Sequence, residues 1–109
     1  MTNKELPDNQ RMEIDRLIHE PARLKIIAQL YVVESADFLF IMRQTGLTQG
    51  NVSGHLSKLE DAGFVNIEKG YLGKRPQTII SLSTLGRQRF QNYIRNMREM
   101  LDNLEIREP

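Results

Sequence analysis

Cysteine is absent from this chain of 109 residues, which excludes disulfides, thiolate metal sites and thiol switches. No sign of charge dominates. The 15 Lys and Arg residues offset 14 Asp and Glu, for a formal net charge of +1. Composition alone therefore points to no polyanionic partner, although attraction to phosphate depends on where charge sits as well as on its sum. A long uncharged apolar run is missing, as is a basic leader with an apolar core, so a soluble, cytoplasmic protein is expected. The length fits one domain over residues 1–109, with enough core to fold without staples. There is no internal repeat or low-complexity segment.

Residues 1–9 are polar with a proline and read as a flexible arm. From Gln10 to His19, Met12, Ile14, Leu17 and Ile18 suggest a helix. Pro21 suits the first turn of the next helix, which runs to about Val33 on an apolar face of Leu24, Ile26, Ile27, Leu30 and Val33. Ser35 is the expected cap of a third helix, with Asp37 in its first turn and Gly46 as its left-handed stop. Thr48 then caps a helix over 48–62, and Gly63 ends it. Two β-type runs follow, Phe64–Lys69 and Thr78–Leu82. A turn-rich, basic stretch (GYLGKRPQ, 70–77) separates them, so a hairpin with a long exposed tip is predicted. Ser83 caps a terminal helix of roughly 84–105.

A helix, a glycine turn, a second helix and a basic hairpin are the parts of a winged helix-turn-helix, in their usual order. The expected fold is thus mostly α with a small β-hairpin, and the expected partner is double-stranded DNA. In the helix over 48–62, Val52, Leu56 and Leu59 recur at i, i+4 and i+7 and turn inward. Thr48, Gln49, Gly50, Asn51, Ser53, Gly54, Ser57 and Lys58 then lie wholly or partly outward. Gln and Asn pair bidentately with adenine, Ser is an adaptable donor and acceptor, and the first turns of such a helix meet base edges. Gly50 and Gly54 lower helix stability by ~1 kcal/mol each relative to Ala. A close approach of backbone to DNA would explain both. The bland alternative is a solvated face, and the helix and hairpin on either side argue against it. His55 borders the apolar face and suits either packing or phosphate contact. A metal role is not expected, since His19 is distant and cysteine is absent.

Lys69, Lys74 and Arg75 carry the charge of the hairpin and suit phosphate contact or minor-groove insertion. Tyr71 and Leu72 either pack against sugar or fold back on the sheet. In the terminal helix Phe90, Ile94, Met97, Leu101 and Leu104 follow a 4-3-4-3 spacing, widened by Tyr93 and Met100. So small a domain has little with which to cover that stripe. A homodimer is expected there, with Met12 and Leu17 of the first helix added to the contact and Leu39 and Phe40 assigned to it too. The alternative is a cap over the chain's own core. Two-fold symmetry would set two recognition helices ~34 Å apart on a pseudo-palindromic site.

Three segments together, EPARLKIIAQL (20–30), TGLTQGNVSGHLSKLEDAGFV (45–65) and GKRPQTIISLSTLGRQRF (73–90), resemble the winged-helix regulators of the MarR and ArsR type, in particular their compact single-domain subset. The resemblance covers about residues 12–95. It implies a dimer that binds operator DNA through the helix from Thr48 and the wing at 70–77. Arsenical sensing does not carry over without cysteines, and no effector is assigned. A dimeric repressor follows as the expected function, with a protein-interaction module as the alternative. No enzyme motif is present and no cofactor is expected: a Gly-rich phosphate loop in a βαβ setting is missing, and no histidine neighbours a nucleophile in a motif.

Overall fold

The computed structural model of the protein describes residues 13–107. The elements run α1 (Pro21–Val33), β1 (Ser35–Asp37), α2 (Phe38–Thr45), α3 (Gln49–Asp61), β2 (Val65–Leu72), β3 (Arg75–Leu82) and α4 (Thr84–Asp102). The three strands form one antiparallel sheet in the order β1-β3-β2. Ile18, Ile26, Ile27, Leu30, Ile41, Val52, Leu59, Phe64 and Ile80 are fully buried, and they join every helix but α4 to the inner face of the sheet. Phe90 and Tyr93 bring α4 into the same core.

Four features depart from the sequence expectation. The arm, and Gln10 to Met12 of the expected first helix, lie outside the described residues. From 13 to 19 the chain is not helical but turned. Asp15 accounts for this, since its side chain accepts the Leu17 N–H at 3.1 Å while its carbonyl accepts that of His19 at 2.8 Å. Glu20 then caps α1, its carboxylate taking the N–H groups of Ala22 and Arg23 ahead of a first-turn Pro21.

Ser35 does not cap α2. It belongs to β1, opposite Ser81 of β3, and Asp37 is the cap, accepting the Phe40 N–H at 2.7 Å. Three residues are too few to show alternation, which is why this strand left no sign in the sequence.

The hairpin tip is short. Pairing continues to Leu72↔Arg75, leaving Gly73 and Lys74 as the turn, with Gly73 at φ 66°. Pro76 sits within β3 but beyond the end of β1, where the strand is bordered on one side and proline is tolerated.

α4 stops at Asp102, so Leu104 lies past its end. The caps at Thr48 and Ser83 and the left-handed Gly46 (φ 72°) are as expected.

Candidate nucleic-acid interface

The turn into α3 is built from three residues. Thr45 is buried, its hydroxyl donating to the Ile41 carbonyl at 2.6 Å and accepting the Leu47 N–H at 3.3 Å. Gly46 supplies the left-handed step, and Thr48 accepts the Asn51 N–H at 3.2 Å. These bonds aim the first turns of α3 outward. Val52, Leu56 and Leu59 fall inward as their spacing predicts, while Gln49, Gly50, Asn51, Ser53, Gly54, Ser57 and Lys58 are exposed with Thr48 at the cap. A Cβ built at Gly50 or Gly54 meets nothing within 4 Å, so among the described residues no packing requires glycine at either position.

Between α3 and the sheet lies a half-open groove of about 910 Å³. It brings together Gln49, Ser53 and Ser57 of α3 with Lys69 and Arg75 of the hairpin, over a floor that includes Leu56 and Ile67. Thr48, Asn51, Lys58 and Lys74 do not line it. The pairing puts Lys69, Thr78, Tyr71 and Pro76 on the face that also carries the buried Ile80, whereas Arg75 sits with Leu72 and Gln77 on the other. Tyr71 and Leu72 are both exposed, so neither folds back on the sheet.

His55 is half-buried and tied inward. Its Nδ1 is 3.3 Å from Arg23 Nη1 and 3.7 Å from Glu20 Oε2. Glu20 and Arg23 are what sequence reasoning missed, because a long-range polar contact leaves no periodic trace. The backbone N–H of Arg23, helped by that of Ala22 and by the positive charges nearby, holds the Glu20 carboxyl below its ordinary range against a smaller opposing effect of burial.

The terminal stripe divides. Phe90 and Tyr93 are buried within the protomer, and this corrects their assignment to a dimer contact. Phe90 packs edge-on against Tyr31 with centroids 5.2 Å apart and stacks on Tyr93, whose hydroxyl is 2.9 Å from His19 Nδ1. Burial, with a smaller effect of the Asp15 charge, raises the Tyr93 phenol above its usual value. Ile94, Met97 and Leu17 are partly buried against the same core, as is Phe40. Met100 is half-buried, while Leu39, Leu101 and Leu104 remain exposed. Met12 lies outside the described residues.

Helix, turn, helix and a two-stranded wing, with a polar outer face on the second helix, define a winged-helix DNA-binding protein. A family model described as a winged helix DNA-binding domain matches residues 22–101, and the chain belongs to that family. An uncharacterised protein of Methanocaldococcus jannaschii is 37% identical over 90 residues, 83% of this chain and 98% of its own length. Among solved structures, a transcriptional regulator homologue from Pyrococcus horikoshii OT3 superposes with a TM-score of 0.79 at 26% identity, covering 84% of this chain and 91% of that one. The overoxidised form of AbfR bound to DNA shares the fold, with a TM-score of 0.65 at 24% identity over 73% of this chain and 58% of its own. Family and fold are those of winged-helix DNA-binding transcription regulators. Among the described residues, no helix is long and apolar enough to cross a membrane.

Proposed function

We propose that the protein is a homodimeric, sequence-specific repressor that reads the major groove with the outer face of α3 and grips the backbone or minor groove with its wing. The observation that carries this is the pair Gly50 and Gly54. Both are exposed on the face that bears Gln49, Asn51 and Ser53, and both have open space around them. Helical stability argues against glycine there, and packing among the described residues makes no demand for it. An external surface that comes close to the backbone accounts for both. Asn51 and Gln49 then take base edges, with Lys58, Lys69, Lys74 and Arg75 toward phosphate.

The dimer is supported by what the protomer leaves uncovered at the end of α4: Leu101 is 56% exposed and Leu104 66%. One domain over the whole chain and a cytoplasmic location complete the proposal.

Selection of bound sequences from a random duplex pool tests it, followed by fluorescence anisotropy at two salt concentrations. An enriched pseudo-palindrome with half-sites about one turn apart is expected. Uniformly weak, salt-sensitive binding without an enriched motif would refute it and favour a protein-interaction module.

A further inference from the structure

The segment between Asp15 and Arg23 holds both ends of the molecule at once. At one end, Arg89 of α4 grips Asp15 bidentately, with Nε and Nη2 each 3.0 Å from a carboxylate oxygen. The His19–Tyr93 contact adds a second tie to α4. At the other end, Arg23 donates from Nε to the Leu17 carbonyl at 2.6 Å and turns Nη1 toward His55 of α3. Glu20 receives the Arg23 N–H at 2.8 Å and lies 3.7 Å from the same imidazole. A continuous polar path therefore runs from α4 through the turn at 15–20 to α3.

Such a path adds directional contacts to the apolar core beneath α3. Val52, Leu56 and Leu59 hold α3 down by apolar contact, whose attraction is non-directional and which limits rotation only through the fit of the packed side chains. On a helix of ~5–6 Å radius, a rotation of about 10° moves side-chain tips by about 1 Å, enough to spoil hydrogen bonds to base edges. The hydrogen bond between Arg23 and His55 is directional and adds a restraint on that angle.

We propose that residues 15–23 form a strap that fixes the rotation of α3 relative to α4, with Arg23 as a positioning residue for DNA readout. The proposal rests on α3 being the recognition helix. The Arg23 side chain is 12% exposed and points at protein groups, so it acts through His55 and not on DNA.

The test compares affinity for the selected operator with affinity for random duplex, in the full chain at a temperature where melts show every variant folded. Arg23→Met keeps the stem and removes the guanidinium. It should lower the operator-to-random ratio about tenfold while leaving random-duplex affinity and the salt slope unchanged. A loss of general structure would instead lower both affinities together. Arg89→Gln, which cuts the far end of the strap, should lower the ratio in the same sense, and the double variant should lose no more than the worse single. Should Arg23→Met not fold, His55→Leu takes its place in the cycle. An unchanged ratio in the Arg23 or His55 variant, or losses that simply multiply in the double variant, overturns the strap. Asn51→Ala separates the two levels: if it too leaves the ratio unchanged, the recognition-helix assignment is what has failed.

Discussion

Replacing Gly54 by alanine should move stability and DNA affinity in opposite directions. Gly54 lies in mid-helix, and a Cβ built there meets no atom within 4 Å. Alanine is about 1 kcal/mol better than glycine in a helix interior, so the folded chain should gain that amount. For a domain of this size the gain raises the unfolding midpoint by about 4 °C. If DNA approaches the backbone at Gly54, the same methyl crowds the complex. Crowding in a packed interface costs about 1–3 kcal/mol, or about 5- to 150-fold in Kd. Thermal melts at fixed protein concentration give the first quantity and anisotropy on the selected operator gives the second. A stabilised variant with unchanged Kd refutes the close-approach argument. A destabilised variant refutes the premise that the space is open.

Gly86→Ala should lower stability, because its Cβ would run into the Phe64 carbonyl oxygen and stand 2.9 Å from the Phe64 ring. A backbone carbonyl does not swing aside, so a loss of about 1–3 kcal/mol is expected in urea melts, and an unchanged midpoint contradicts the contact. Glu20→Gln should cost about 1 kcal/mol at neutral pH through a weaker helix cap. Since the folded-state pKa of Glu20 is lowered, its contribution is complete above the ordinary carboxylate range and is lost as pH falls through the lower folded value. The parent and the variant should therefore converge in strongly acid solution, and a pH-independent difference would count against this. Arg75→Ala should weaken binding to all duplexes alike and lower the salt slope by about 1. Loss confined to one base position would show that Arg75 reads sequence instead.

Local signals made most of this fold legible in the sequence. Caps at Thr48 and Ser83, the left-handed Gly46 and the 4-3 spacing of Val52, Leu56 and Leu59 each act within one or two turns, and each appears where the residue types place it. What went unread depends on distant partners. β1 exists because Ser35–Asp37 finds an open edge of β3 some forty residues later. The apolar run Met12, Ile14, Leu17 and Ile18 looked helical, yet over the described part Asp15 offers the backbone a competing turn, and Arg89 and Arg23 hold it from other elements. His55 was open between two roles for the same reason, since its partners lie 32 and 35 positions away.

The stripe on α4 shows how far periodicity reaches. A 4-3-4-3 pattern says that one face of a helix is apolar, and says nothing about which surface covers it. In the structure the first part of that face, Phe90 and Tyr93, packs on Tyr31 and His19 of its own chain, and Ile94 and Met97 lean on the same core. Beyond Met97 the cover thins: Met100 is half-buried and Leu101 stands clear. One face thus divides: its first half anchors α4 to the protomer, and its second half stays exposed, where the proposed dimer would cover it. The anchor is also where Arg89 and Tyr93 meet the strap. A dimer formed through the end of α4 would therefore set the spacing between two recognition helices through bonds already made within each protomer.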